Sequence, residues 1–446
     1  LELLAKIEQR TAGVAVIGLG YVGLPLSVEF ARAGYTVYGI DSDAHKIAML
    51  KKGNSYILDT DSSSIGELTA GGALQPSMDY DALEQADIAV LCVPTPLDHE
   101  RNPDISFIEA AISRLIPRLK RGSLVILEST TYPGTTRELI AGRIEAERGW
   151  RAGRDFFACF SPERVDPGNR RFSIRSMPKI IGGRTPSCLE AGQSFYGTVF
   201  DRVVPVSSNE TAEFAKLLEN TFRNVNIALV NELAPVCEAM GVSIWEVVEA
   251  AATKPFGYMP FYPGPGIGGH CIPVDPLYLA WKSGQLGMPL KLIGQADEIN
   301  RGMPAYVVQH IKALLEREGK TIRGAAIILS GLAYKRDTDD LRESPALEIL
   351  GLLRRLGAHT AYHDPHIPAC RIEGEQYVSQ AAAPSLWAES DLTVITADHA
   401  AVDYQQIADH APLVFDTRHA TKGCKGGRII LLGSHSRTGR EQENAQ

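Results

Sequence analysis

No apolar run in the sequence approaches the roughly 20 residues that cross a bilayer; such runs as 88–93 and 124–127 are the length of strands. No membrane partner is expected. Blocks of basic residues are missing too, and 45 Lys and Arg against 53 Asp and Glu give a net charge of -8, which offers no electrostatic footprint for nucleic acid. Cysteine is sparse: seven residues, at 92, 159, 188, 237, 271, 370 and 424, odd in number and never spaced CxxC. That argues against a disulfide framework and against a cysteine-ligated zinc. The opening LELLAKIEQR lacks the apolar stretch of a secretion signal, so the expected location is cytoplasmic.

What is present is a globular composition, 44% hydrophobic and 22% charged over 446 residues, enough for several domains at roughly 100–200 residues each. Over residues 11–205, short runs (VAVIG, TVYGID, DIAVLCV, SLVILEST, FFACFSPER, KIIGG, RVVPV) alternate with helix-like stretches, as buried parallel strands do. Residues 208–240 hold no glycine and keep a helical period, with Phe214, Leu217, Leu218, Thr221, Val225, Leu229 and Leu233 on one side. Ser208 or Asn209 suits the start of this helix and Gly241 its end, and Pro235 is expected to bend or split it. From 323 the α/β pattern returns in GAAIILSGLAYK, HTAYHDP, LTVITAD and PLVFDTR. The expected architecture is α/β: two Rossmann-like doubly wound domains joined by a long central helix and a helical middle domain, divided as 1–207, 208–316 and 317–446. The polar stretch 433–446 reads as a loose tail.

The strand at 14–17 runs into Gly18-Leu19-Gly20-Tyr21-Val22-Gly23 and then an apolar helix. Gly18 permits the turn, Gly20 a close approach to pyrophosphate, Gly23 tight helix–strand packing, and the helix N-terminus supplies amide donors. Asp41 ends the next strand, where a carboxylate accepts ribose hydroxyls and repels a 2′-phosphate, so NAD is the expected cofactor. Pro94 and Thr95, after another strand, lie where the nicotinamide half would run. Further on, PFYPGPGIGGHCIPVDP is too rich in Gly and Pro for a regular element and places Cys271 on a shaped loop. Nucleophile and buried structural thiol are equally open readings of Cys271. Lys216, Asn220, Arg223 and Asn224 form a polar stripe on the long helix; it is either a solvated face or, given its neutral amides, a ligand-binding one. His359, His363 and His366 lack a matching acid or thiol cluster, and no metal is expected.

Together GLGYVGLPL, VPTP, ESTTYPGTT, SPERVDPGN, AKLLENTFRNVNIALVNEL, GPGIGGHCIPVDP and LAYKRDTDDLRESPA resemble the UDP-glucose/GDP-mannose dehydrogenase family over residues 14 to about 420. The wording is nearest the branch that oxidises UDP-N-acetylhexosamines, with UDP-N-acetyl-D-glucosamine the first expectation, and UDP-N-acetylmannosamine, UDP-N-acetylgalactosamine or UDP-glucose the alternatives. The resemblance implies a double oxidation of the C6 alcohol to a carboxylate with two NAD⁺, serving surface polysaccharide synthesis. It makes Cys271 the nucleophile, Lys216 and Asn220 the oxyanion stabilisers, Thr130 and Asp275 the holders of a water, and Glu163 the helper of thioester hydrolysis. It places Gly18, Gly20, Tyr21, Val22, Gly23, Asp41, Pro94, Thr95 and Thr130 around the cofactor. Substrate contacts are implied for Glu163, Arg164, Lys216, Asn220 and Gly268, for Tyr334 and Lys335 at the nucleotide, and for Arg342 and Arg418. Lys254, Tyr258 and Tyr262 lie in a loop that departs from the UDP-glucose branch, which carries an arginine near the position of Lys254. A homodimer or larger assembly through the long helix is implied as well. Two rivals remain: a single-step β-hydroxyacid dehydrogenase, which needs neither Cys271 nor a second α/β domain, and a non-catalytic nucleotide-sensing protein.

Overall fold

The computed structural model describes residues 2–57, 60–164, 173–372 and 374–434. Residues 165–169 of the SPERVDPGN stretch and 435–446 of the expected tail lie outside the described residues. The chain divides into two compact units, residues 1–219 with 277–289 and residues 220–276 with 290–446.

The first unit is built on β1 (Gly13–Ile17), β2 (Thr36–Ile40), β3 (Leu74–Ser77), β4 (Ile88–Leu91), β5 (Leu124–Leu127), β6 (Phe157–Phe160), β7 (Lys179–Gly183) and β8 (Val203–Val206). They lie in the order β3-β2-β1-β4-β5-β6-β7-β8, parallel throughout except between β6 and β7. The first six follow the doubly wound dinucleotide-binding order. Alternation along the strands feeds two cores: Val14, Val16, Val37, Val90 and Ile126 pack on one face with Phe30 and Phe195, while Ala15, Ile17, Leu91, Val125 and Leu127 pack on the other with Ile112 and Ile144. β3 escapes a sequence reading because it is LQPS, with Pro76 tolerated at the sheet edge, where no further strand needs its amide.

In the second unit β9 (Ala326–Ser330), β10 (His359–His363), β13 (Leu392–Ile395), β14 (Val414–Asp416) and β15 (Ile429–Leu431) form a parallel sheet in the order β10-β9-β13-β14-β15, and β11 (Ala369–Ile372) pairs antiparallel with β12 (Glu375–Val378). This is the other common doubly wound order, with its switch point between β9 and β13. Leu329, Val394 and Phe415 face one core, Ile328, Ile395 and Val414 the other.

The long helix runs Asn209–Ala239 without a break, so Pro235 does not split it. Packing overrides the lost hydrogen bond, with Ala234 fully buried beside Val230, Ile244 and Trp245. Ser208 Oγ caps the start by accepting the Thr211 amide at 3.1 Å, and Gly241 ends it at φ 74°. Burial on this helix decides against the solvated-face alternative for the polar stripe. Lys216 and Asn220 are 7% and 1% exposed, whereas Leu218 and Leu229 are 57% and 51% exposed, in company with Phe214, Phe222 and Leu233. Lys216, Asn220 and Asn224 are buried because they have partners, and much of the apolar side, though not Leu217, is left to water.

Candidate active site

In the first unit, the carboxyl ends of adjacent parallel strands gather the polar side chains, as a doubly wound sheet requires. β1 leads into Gly18, where a φ of 92° and an amide bonded to Ile40 O at 2.7 Å make the turn. A Cβ at Gly18 would fall 2.5 Å from Cys92 O, and one at Gly23 only 1.8 Å from Gly18 O, whereas one at Gly20 meets nothing within 4 Å. The fold itself requires Gly18 and Gly23; only an occupant requires Gly20. Val22 precedes the helix Gly23–Arg32 without any side-chain cap; the Leu24 amide is bonded to Gly20 O at 3.1 Å and Pro25 has none, so what this end offers an anionic ligand is chiefly the positive end of the helix dipole. Tyr21 packs on the core beneath. Asp41 is fixed by the Leu19 and Asp43 amides at 2.8 and 2.9 Å and by Lys46 Nζ at 3.3 Å. Beyond β4, Pro94 is exposed and Thr95 buried, in a loop held by Ser129 Oγ on Val93 O at 2.7 Å and Tyr278 OH on Pro96 O at 2.9 Å. These residues fit a bound dinucleotide.

Thr130, half-buried, follows β5, and Glu163 follows β6. Lys216 Nζ donates to the Glu163 carbonyl at 2.6 Å. Arg164 is engaged with Glu219 at 2.7 Å and with Pro178 O at 2.9 Å. Under Glu163 lies a cluster that the sequence reading missed. Lys179 Nζ sits 2.6 Å from Glu128 Oε2 and 3.6 Å from Glu163 Oε2, and Tyr196 OH donates to Glu128 Oε1. Burial pushes Glu128 up to about 7, despite Lys179. Burial works against the Lys179 charge as well, but Glu128 and Glu163 outweigh it and keep the ammonium protonated. Glu213, one turn before Lys216, is likewise buried; it accepts the Gly134 and Thr136 amides at 2.6 and 2.9 Å, and burial lifts it to about 7. The available signals were a carboxylate ending the apolar strand SLVILE and a lysine opening KIIGG.

In the second unit, Cys271 is half-buried on an irregular turn whose carbonyl accepts the Asp275 amide at 2.9 Å, leading into the helix Asp275–Gln285. Asn220 Nδ2 donates to Asp275 Oδ2, and Arg223 Nη2 to Asn220 Oδ1 at 2.6 Å. The amides of the polar stripe hold this loop. Asn224 Nδ2 donates to Ile272 O at 3.2 Å, Asn231 Oδ1 accepts the Gly264 amide at 3.0 Å, and Asn300, on the helix Lys291–Arg317, bonds both Asn231 and the Asn224 carbonyl. Asn300 was not foreseen.

The loop docks on the segment after β9. The Gly269 amide donates to Arg342 O at 2.9 Å, and a Cβ at Gly268 or Gly269 would come within 2.6 or 2.7 Å of Tyr334. Buried Asp364 accepts the Leu332 and Ala333 amides and His399 Nε2 at 2.6, 3.0 and 3.1 Å, and His399 and the amides, working against burial, hold it down at about 2. It thereby shapes the turn that carries Tyr334 and Lys335. Arg342 makes a two-pronged pair with Asp340, and Arg418 donates from Nε to Thr396 O at 3.0 Å and lies against Gly264. Lys254 instead lies over the Phe256 ring, Tyr258 is exposed, and Tyr262 stacks on Trp245 at 5.7 Å. His366 stands near Asp337 and His399, but His399 Nδ1 is taken by the Asp337 amide at 2.9 Å.

A glycine cradle fitted to a dinucleotide and a second doubly wound sheet define an oxidoreductase of the nucleotide-binding class. Residues 12–200, 210–302 and 328–423 match, in turn, the NAD-binding, central and UDP-binding domains of the UDP-glucose/GDP-mannose dehydrogenase family. The chain belongs to that family, and NAD is its cofactor. It is 38% identical over 374 residues to UDP-N-acetyl-D-glucosamine 6-dehydrogenase of Pseudomonas aeruginosa, covering 83% of this chain and 87% of that one. It is 36% identical to an NDP-N-acetyl-D-galactosaminuronic acid dehydrogenase of Ralstonia nicotianae, over 88% of this chain and 92% of the relative. The solved structure of a UDP-D-ManNAc dehydrogenase from Pyrococcus horikoshii superposes with a TM-score of 0.87 at 33% identity, covering 95% of this chain and all of that one. Among the described residues no helix is long and apolar enough to cross a membrane.

Proposed function

We propose that the protein oxidises the C6 alcohol of a UDP-N-acetylhexosamine to the carboxylate, with UDP-N-acetyl-D-glucosamine the first candidate, for surface polysaccharide synthesis. The observation that carries this reading is Cys271, a half-buried thiol on a glycine turn anchored to Asn224, Asp275 and the Tyr334 segment. A single oxidation has no use for such a thiol. When bound, NAD⁺ accepts two electrons as hydride in each of two successive oxidations.

The Cys271 sulfur adds to the C6 aldehyde carbon and its proton leaves; oxidation of the thiohemiacetal gives a thioester; water then breaks the C–S bond, restoring the thiol and releasing the acid. Atoms balance as RCH₂OH + 2 NAD⁺ + H₂O → RCOO⁻ + 2 NADH + 3 H⁺. Lys216 and Asn220, one turn apart on their helix, stabilise the developing oxyanion. Glu163 serves the water of hydrolysis as base, and Thr130 and Asp275 hold water. Tyr334, Lys335, Arg342 and Arg418 receive the nucleotide diphosphate near the β9/β13 switch point, where such sheets bind ligands. Arg164, Gly268, Lys254, Tyr258 and Tyr262 complete the substrate contacts. The division 1–207, 208–316, 317–446 is kept as a functional one, each part enclosing one matched family segment. The exposed apolar side of the long helix supports a homodimer.

UDP-N-acetylglucosamine is proposed first on the Pseudomonas aeruginosa relative. The test is kcat/KM for the gluco, manno and galacto UDP-N-acetylhexosamines and for UDP-glucose. The gluco sugar is expected to lead, and a clear lead for UDP-glucose rejects the N-acetylhexosamine reading. Cys271→Ala is expected to abolish uronate formation; an unaltered rate rejects the covalent scheme.

A further inference from the structure

Lys179 is a buried cation at the start of β7 whose ammonium contacts two carboxylates from two neighbouring strand ends. It lies 2.6 Å from Glu128 Oε2, 3.2 Å from Pro162 O and 3.6 Å from Glu163 Oε2, over the rings of Tyr196 and Phe200 at 5.5 Å from each centroid. A lone core lysine of this kind is costly unless charges compensate it, and one carboxylate would suffice. The second is Glu163, proposed above as the hydrolytic base. Among the described residues, the other titratable groups facing the cluster are Tyr196, whose hydroxyl donates to Glu128, Cys92, which senses Glu128, Glu163 and Lys179, and Lys216, on the Glu163 carbonyl.

We propose that Lys179, Glu128 and Tyr196 form a buried relay of positioning residues that keeps Glu163 anchored for thioester hydrolysis, with Glu128 and Glu163 sharing the Lys179 ammonium. This deepens the proposed function and rests on its reading of Glu163. The two carboxylates then respond oppositely to substitution. Removing Lys179 takes its cation from both carboxylates and moves the acid limb of the hydrolysis step to higher pH. Removing the Glu128 charge leaves the Lys179 ammonium to Glu163 and moves that limb to lower pH.

The test follows the acyl group on Cys271 by intact mass and stopped-flow NADH formation, using the fastest of the three UDP-N-acetylhexosamines with excess NAD⁺. Glu163→Gln is the control and is expected to accumulate the thioester. Lys179→Met is expected to slow its breakdown by about tenfold or more, moving the acid limb of that step up by about one pH unit, with KM for both substrates little changed. Lys179→Arg is expected to restore the limb, and Glu128→Gln to move it to lower pH. If Lys179→Met does not fold, the Glu128→Gln limb decides. An unmoved limb in the variants that fold, or a Glu128→Gln shift upward, overturns the relay while a thioester in the Glu163→Gln control leaves the Glu163 reading standing. No thioester in that control overturns both.

Discussion

Gly20 and Gly23 look equivalent in a motif and differ in what they do. A methyl at Gly23 has no room against Gly18 O, so Gly23→Ala is expected to destabilise the protein by about 2–4 kcal/mol, in the range of overpacked or strained backbone sites, measured as a lowered Tm. Gly20 has open space at its Cβ; Gly20→Ala is expected to keep Tm and raise KM for NAD by about tenfold through lost pyrophosphate approach. Glu213 makes a pH prediction at the same scale. Burial raises it to about 7, above the roughly 4.3 of an unfolded glutamate. The native state therefore binds more protons between about pH 4.5 and 7, and stability falls as pH rises across that window, by up to about 1.4 kcal/mol per unit. Glu213→Gln is expected to flatten this decline in a Tm series; an equal slope in both proteins would show that Glu213 is ionised throughout.

At the scale of elements, the strands were legible because parallel strands buried on both faces spell continuous Val and Ile runs. The edge strand β3 and the pair β11–β12 were not, since LQPS, ACRI and EQYV carry little of that signal, and β15 was passed over because its run of IIL is only three residues long. The glycine motif, Asp41 and the cysteine loop could be placed from sequence because each sits at a strand end or a helix break. The long helix was legible as a helix, but which side faces inward was not. Helical periodicity separates polar from apolar and says nothing of which is buried, and here Asn220, Asn224 and Asn231 are inside because Asp275, Ile272, Gly264 and Asn300 meet their amides. Glu128, Lys179 and Asn300 went unread for the same reason: the pairs Glu128–Lys179 and Asn224–Asn300 join residues 51 and 76 apart in the chain. The amide ladder predicts that Asn231→Ala, which strands the Gly264 amide, loosens the cysteine loop. It is expected to cost about 1–3 kcal/mol and to reduce kcat with little change in KM for NAD, measured in steady state; an unchanged kcat would detach the ladder from the loop.

On the scale of the whole molecule, two doubly wound sheets in two compact units, each with a ligand-type switch point, match a reaction that needs one nucleotide for electrons and another as the handle of the sugar. The exposed Phe214, Leu218, Phe222, Leu229 and Leu233 are too many apolar side chains for one helix facing water in a lone chain. Paired Leu218→Glu and Leu229→Glu substitutions are expected to halve the particle mass in light scattering; a wild-type protein that scatters as a single chain would remove the dimer. The central claim is the double oxidation through Cys271, and it is tested most directly by counting NADH formed per limiting UDP-N-acetylhexosamine under excess NAD⁺. Two NADH per sugar are expected. One NADH per sugar would contradict the thioester scheme and reduce the protein to a single-step dehydrogenase.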